Sequence, residues 1–195
     1  MNTLEQQFDY AKSRFADEKF QNQEGLANEV SLYIWCYDPA EELKMRKLTN
    51  NFCDQHKEQK GSYRIIKRSL WDSFLSICER KKMLNRINML EEKRGSEGLQ
   101  KRLQTIVSPE EYIKEFDWPD HEKGDILLIT DVGRIYPFMR AHNILEAVQV
   151  AFADVPVVLQ YPGEYNNQNL SLFGMHDANY YRAFNLLIQE ENRAN

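Results

Sequence analysis

The chain has 195 residues, of which 42% are hydrophobic and 12% aromatic, so it can bury a core and wholesale disorder is not expected. Its net charge of −5 argues against a general nucleic-acid binder, because neutralising phosphates requires concentrated lysine and arginine. The three cysteines form no CxxC pair, which predicts reduced thiols and a cytoplasmic location. Neither a signal-peptide pattern nor an apolar run of membrane-spanning length is found, so no membrane association is predicted.

The amino-terminal half is predicted to alternate helices and strands. In chain order, we expect an amphipathic helix over Leu4–Phe15, a buried strand over Val30–Tyr37, a helix that begins at Asp38-Pro39, a strand over Tyr63–Leu70 and a long helix from about Trp71 to Lys93. The glycines of Arg94–Gly98 then predict a hinge.

The carboxyl-terminal half contains the clearest pattern. An apolar strand over Ile126–Thr130 is followed by a helical pattern and by a second apolar strand that ends at Tyr161. A crossover of this length predicts a parallel βαβ unit. Leu170–Phe173 is predicted to pair antiparallel with the preceding strand because the connection is short. Asp177 is predicted to cap a last helix whose Tyr181, Phe184 and Ile188 face the core.

Strands that are apolar on both faces require helices on both sides of the sheet. The sequence therefore predicts an α/β fold in three layers, with a mainly parallel central sheet and helices on both faces. We expect residues 1–195 to form a single domain, in which residues 71–118 can form a helical insertion.

This sheet resembles that of nucleotide-binding proteins, but it lacks a phosphate loop. Neither GxxxxGK[ST] nor GxGxxG occurs in the chain. The first strand-to-helix turn instead carries Asp38, Glu41 and Glu42, which suit a helix amino terminus but repel phosphate. We therefore expect no nucleotide or other cofactor there.

Polar side chains follow the carboxyl ends of the predicted strands, where open α/β sheets usually meet their ligands and partners. Of the chemistry expected there, no activated nucleophile is present, because the chain has no GxSxG or HExxH motif. We therefore predict a partner-binding surface and no catalytic residues. Its members are Asp38, Asp131, Arg134, Arg140, Glu164 and Tyr165.

Two alternatives remain open from the residues alone. The carboxylates of Asp38, Asp131 and Glu164 could hold a magnesium ion, as in a nuclease or a nucleotide hydrolase. A DNA-contacting subunit could instead use the basic run Arg80–Arg102, because Glu79–Arg102 contains eight basic and four acidic residues.

Several long segments of the sequence resemble the BrxB family of BREX (bacteriophage exclusion) defence systems. They are YIWCYDP at Tyr33–Pro39, LLITDVGRIYPFMRAHNILEAVQ at Leu127–Gln149, VPVVLQYPGEYNNQNLSLFG at Val155–Gly174 and NYYRAFNLLI at Asn179–Ile188. The resemblance covers nearly the whole chain, is strongest in the carboxyl-terminal third, and carries no established catalytic residues.

The resemblance implies a bacterial cytoplasmic protein encoded beside a PglZ-type protein of the alkaline-phosphatase superfamily, a large ATPase and an adenine-specific DNA methyltransferase. Such systems methylate host DNA and block phage replication. We therefore expect a non-enzymatic adaptor subunit that docks to a larger defence protein, in particular the PglZ-type protein, with DNA contact only inside a complex.

Overall fold

The computed structural model describes residues 3–24, 31–56, 63–165, 170–172, 175–177 and 183–188. The helices within these ranges are α1 (Leu4–Phe15), α2 (Glu18–Gln21), α3 (Glu42–His56), α4 (Leu70–Arg80), α5 (Ile87–Ile106), α6 (Pro109–Glu115), α7 (Val132–Ile135) and α8 (Ala141–Ala151). The strands are β1 (Leu32–Tyr37), β2 (Arg64–Ser69), β3 (Asp125–Thr130), β4 (Val157–Tyr165), β5 (Leu170–Leu172), β6 (Met175–Asp177) and β7 (Phe184–Asn185). Of the described helices, none has both the length and the hydropathy needed to cross a bilayer.

The central sheet has the order β2-β3-β4-β1-β7, and these five strands run parallel. The register places Trp35 opposite Gln160 and Leu127 opposite Val157. Helices cover both faces, so the prediction of an α/β fold with a mainly parallel sheet between helices is confirmed. That residues 1–195 form one domain stays a prediction.

Side-chain alternation along the strands divides the core into two layers. Leu127 and Ile129 of β3 pack with α4–α8, whereas Ile126 and Leu128 pack with α1–α3. The second layer is aromatic, and Trp35 lies at its centre, 4.7 Å from the ring of Phe8. Because both faces of β3 and β4 are buried, these strands read as continuous apolar runs in the sequence.

The long helix predicted over Trp71–Lys93 is broken in the structure. α4 ends at Arg80, and Lys82 then adopts a left-handed backbone conformation with φ of 55°. α5 continues through the predicted hinge, which is a kink at Gly95 with φ of 67° and ψ of 171°. Because this conformation is essentially restricted to glycine, the kink explains the hinge signal that the sequence carries.

β4 extends beyond the end of β1 and forms an antiparallel ribbon with β5 and β6. The antiparallel pairing predicted for Leu170–Phe173 is confirmed at Leu170–Leu172, and Phe173 lies outside the described residues. The predicted last helix is wrong at the residues that the structure describes. Asp177 ends strand β6, and Phe184 lies in β7, which pairs with β1 at Tyr33. Hydrogen bonding to the free edge of β1, including Leu186 N to Ile34 O at 2.9 Å, overrides the helical pattern. Tyr181 lies outside the described residues.

Candidate functional site

A polar crevice opens at the carboxyl edge of the sheet. β1 is followed by α3 on one face, and β3 is followed by α7 and α8 on the other face, so the chain leaves the sheet in opposite directions. Such divergence creates a crevice in open α/β sheets. The cavity has a volume of about 100 Å³. Its lining residues are Tyr37, Glu42, Met45, Arg46, Thr49, Asn50, Lys67, Asp72, Thr130, Asp131, Arg134 and Gln160.

Asp131 is the buried charge of this crevice, with only 9% of its surface exposed. Its backbone is left-handed, with φ of 65° and ψ of 30°, a conformation that aspartate tolerates better than most residues. One carboxylate oxygen lies 3.6 Å from Arg46 Nε and 3.4 Å from Arg134 Nη1. The other oxygen accepts a hydrogen bond of 3.1 Å from the Thr130 hydroxyl. Two cations from separate elements therefore compensate one buried carboxylate.

Further contacts hold Arg134 and the third cation of the crevice, Lys67. The Arg134 guanidinium lies 4.7 Å from the centre of the Trp71 ring, which orients it by a cation–π contact. The Lys67 ammonium donates a hydrogen bond of 2.7 Å to Asn50 Oδ1. Three positive groups therefore line the crevice, and each already has a partner in the chain.

The floor of the crevice is a set of hydrogen-bonded polar side chains. Thr49 of α3 and Gln160 of β4 are buried and bond each other at 2.9 Å and 3.1 Å. The Tyr37 hydroxyl donates a hydrogen bond of 2.5 Å to Glu42. Burial, followed by this hydrogen bond, raises the pKa of Tyr37 well above its usual range, so the phenol stays protonated at neutral pH.

The structure brings together only two of the residues predicted for the partner-binding surface, Asp131 and Arg134. Asp38 is exposed, and its carboxylate accepts a hydrogen bond of 2.9 Å from Ala40 N, so it caps the turn before α3. Arg140 is exposed at the amino-terminal cap position of α8.

The remaining two predicted residues lie on the β4 extension. Glu164 is exposed, and it is close enough to Cys36 to add to the effect of burial, which raises the pKa of that thiol to about 12. Tyr165 is buried, and its hydroxyl donates a hydrogen bond of 2.8 Å to Ala183 O. Tyr165 therefore anchors the segment before β7 to the ribbon, while Glu164 faces solvent.

Several crevice residues were not predicted from the sequence, above all Arg46, Lys67 and Thr49. They come from elements that are distant from Asp131 in the chain, and exposed cations on a helix or an edge strand carry no signal of their own. Gln160 could have been found, because it is a polar residue inside the apolar run of β4.

The magnesium alternative needs three carboxylates in one place. Among the described residues, no group of three or more His, Cys, Asp or Glu side chains is arranged to hold a metal ion. Asp38, Asp131 and Glu164 have the separate environments given above. The cavity of about 100 Å³ is also well below the roughly 300–1,000 Å³ that is typical of ligand pockets.

The basic run at Arg80–Arg102 is neutralised at its start. Arg80 and Lys81 approach the Glu111 carboxylate of α6 at 2.8 Å and 3.3 Å. The hydrogen bond from Arg80 is the main reason that the pKa of Glu111 falls to about 2. These first two cations are therefore engaged within the chain, although both are also exposed to solvent.

The model of a family described as BREX protein BrxB matches residues 66–186. The chain is 30% identical over 191 residues to the BREX protein BrxB of Bacillus cereus (strain H3081.97), covering 96% of this chain and 99% of that relative. It is 27% identical over 187 residues to the BREX protein BrxB of Escherichia coli O9:H4 (strain HS), covering 94% and 92%. No solved structure matches the chain significantly. The chain belongs to the BrxB family of BREX proteins.

Proposed function

We propose that this chain is a non-enzymatic adaptor subunit of a BREX anti-phage defence system. In this role it docks to a larger defence protein of the PglZ type in the cytoplasm and thereby supports host DNA methylation and phage exclusion. Membership of the BrxB family supports the defence context. The docking partner and the link to methylation are our proposal.

The observation that carries the proposal is the internal neutralisation of the crevice. Asp131 is compensated by Arg46 and Arg134, and the Lys67 ammonium bonds to Asn50. A nucleotide would need a larger cavity and free donors for its phosphates, and the carboxylates of the first turn would repel it. This arrangement favours recognition of a protein surface over turnover of a small substrate.

The proposed docking surface consists of the exposed groups around the crevice. Asp38, Arg140 and Glu164 face solvent and carry both signs of charge. Asp131 and Arg134 lie inside the crevice. Tyr165 is buried and contributes indirectly, because its hydrogen bond anchors the ribbon that carries Glu164. A mixed-charge surface of this kind fixes the orientation of a partner, since a misaligned partner places like charges opposite each other.

Co-purification with the PglZ-type protein of the same system tests the proposal. We expect a stable complex at moderate salt, and we expect the double variant Arg140→Glu, Glu164→Lys to weaken it by at least about tenfold, because both charges would meet like charges. Lys19→Glu on α2 is the control for charge reversal elsewhere, since Lys19 is also exposed but lies outside this surface.

Two results would contradict the adaptor. One is the absence of any complex between the wild-type chain and the PglZ-type protein at low and moderate salt. The other is hydrolysis of nucleotide or DNA by the purified chain with magnesium that disappears in Asp131→Asn. In that second case the carboxylates at the strand ends would have a catalytic role.

A further inference from the structure

The outer surface between α4 and the Gly95 kink is exposed and combines cations with apolar side chains. We call it the Lys82–Arg94 surface; its exposed members include Lys82, Leu84, Arg86, Met89, Lys93 and Arg94. Leu84 is 37% exposed and Met89 is 44% exposed. Single exposed apolar side chains are common, but here two of them lie among four cations, which gives this surface both apolar and charged groups for a partner.

Charge is distributed unevenly along the chain. Residues 82–106 contain six basic and three acidic residues, a net charge of +3, so the rest of this −5 chain carries −8. The basic members are Lys82, Arg86, Lys93, Arg94, Lys101 and Arg102, and all are exposed. A positive segment on an otherwise acidic molecule attracts an acidic partner and also orients it.

The cations of the Lys82–Arg94 surface are not used inside the part of the chain that the structure describes. Arg80 and Lys81, just before it, pair with Glu111. No carboxylate of the described residues forms an ion pair with Lys82, Arg86, Lys93 or Arg94. Glu91, which lies among them, accepts a hydrogen bond of 2.7 Å from the Ser96 hydroxyl. The four cations therefore remain available to an incoming acidic group.

A groove beside Leu84 gives this surface a shape. The groove has a volume of about 390 Å³ and is lined by Glu79, Lys82, Leu84, Asn85 and Arg86. An apolar side chain of a partner can contact Leu84 there, while carboxylates on either side reach Lys82 and Arg86. A buried apolar anchor with charged groups at its rim is the usual anatomy of a protein–protein contact.

These features favour a protein partner over DNA. Leu84 and Met89 would gain nothing from a phosphate backbone, whereas the apolar side of an amphipathic protein segment can cover them. We propose that the Lys82–Arg94 surface binds an acidic amphipathic segment of the larger defence protein. This inference rests on the adaptor function proposed above, and it adds a second contact that is separate from the crevice.

The two contacts are set apart by the length of α4. This helix begins at Leu70, directly after the carboxyl end of β2, and its eleven residues end at Arg80. At 1.5 Å per residue, the last residue lies about 15 Å along the helix axis from the first. The two surfaces are therefore far enough apart for substitutions at one to leave the other intact, and they can be tested independently.

Affinity and salt dependence of the wild-type complex with the PglZ-type protein provide the test. We expect the double variant Lys82→Glu, Arg86→Glu to bind at least about tenfold more weakly and with a smaller loss of affinity as salt rises. We expect Leu84→Ser, Met89→Ser to weaken binding with the salt dependence unchanged, because it removes only apolar contact. Lys19→Glu, Lys47→Glu is the control, since it makes the same charge change at other exposed positions. Circular dichroism confirms that each variant folds.

The outcomes separate this inference from the adaptor function. If the wild-type chain forms no complex, the adaptor function fails and the inference with it. If the wild-type complex forms and the Lys82→Glu, Arg86→Glu variant binds as tightly, the inference alone is overturned. If that variant keeps the complex but loses binding of the purified chain to a short DNA duplex, the surface contacts DNA and the inference is again overturned.

Discussion

Gly163 illustrates how a single residue determines where the β4 ribbon lies. A Cβ atom at this position would be 2.1 Å from the backbone oxygen of Ser171 in β5 and 3.1 Å from Cε1 of Tyr161. The first neighbour is backbone, so it cannot move away without disturbing the pairing of β4 with β5. The close approach of strand β5 therefore explains why a glycine occupies the third position of the YPGEY segment.

We expect Gly163→Ala to lower the free energy of unfolding by about 1–3 kcal/mol, the usual cost of forcing an extra carbon into a packed site. Urea denaturation measures this change. Glu164→Ala is the matched control, because the neighbouring Glu164 is exposed and its replacement should alter stability by less than about 0.5 kcal/mol. Equal stability of the two variants would show that β5 does not approach Gly163 so closely.

The two ion pairs of Asp131 differ in how far the sequence predicts them. Its place at the end of β3 follows from the abrupt end of an apolar run, and Arg134 follows three residues later, so their meeting was predictable. The contact of Arg46 with Asp131 was not predictable, because it depends on how α3 crosses the sheet. The sequence thus predicted the local half of the crevice and missed the half that tertiary packing supplies.

At the scale of elements, the buried strands were predicted well and the helix breaks were not. Strands buried on both faces leave long apolar runs, and their bounds matched within a few residues. The predicted helix is broken at Lys82 although no glycine or proline marks that position in the sequence. The turn there places Met83 in the core, and this packing depends on tertiary contacts that the sequence pattern does not show. β7 is only two residues long, so it carries no periodicity that a sequence pattern could detect.

α5 consists of two helical segments that meet at the Gly95 kink. After the kink, Leu99 and Leu103 are buried in the core beneath the sheet, and Gln104 donates a hydrogen bond of 2.9 Å to Pro137 O. Before the kink, Ile87 and Leu90 are partly buried against the same core, whereas Met89 is exposed. Both halves are therefore packed on one side, and the outer side of the first half presents the Lys82–Arg94 surface.

We expect Leu103→Ala to lower the free energy of unfolding by about 2–5 kcal/mol, because it leaves a cavity in the core. Met89→Ala on the same helix is the matched control and should change stability by less than about 0.5 kcal/mol. Denaturant unfolding of both variants decides the matter. A large loss from Met89→Ala would mean that the Met89 side of α5 is also packed within the molecule and is unsuited to docking.

At the scale of the whole molecule, the two edges of the sheet have opposite characters. The carboxyl edge has an open polar crevice, whereas the amino edge is closed by paired side chains. Arg64 of β2 donates two hydrogen bonds to the Asp125 carboxylate of β3, at 2.7 Å and 3.0 Å, and its guanidinium lies 5.5 Å from the centre of the Trp118 ring. We therefore expect the carboxyl edge to bind partners and the paired side chains of the amino edge to stabilise the fold.

His121 joins two loops of the amino edge. Its Nδ1 lies 2.6 Å from the Trp118 carbonyl oxygen, and its Nε2 lies 2.7 Å from an Asp154 carboxylate oxygen. Both neighbours are acceptors, so both hydrogen bonds form only when the imidazole carries two protons. The bond to Trp118, followed by that to Asp154, raises the pKa of His121 above its ordinary value of 6.5.

This geometry predicts a pH dependence of global stability. Since the folded state binds the proton more tightly than the unfolded state, the contribution of His121 is fully present below pH 6.5 and is lost as the pH rises through the higher folded pKa. Wild-type stability should therefore fall more between slightly acidic and mildly alkaline pH than that of His121→Gln, which cannot titrate. Asp154→Asn should give an intermediate slope, because the Trp118 acceptor remains. Urea midpoints across this pH range measure the difference, and parallel curves for wild type and His121→Gln would contradict the prediction.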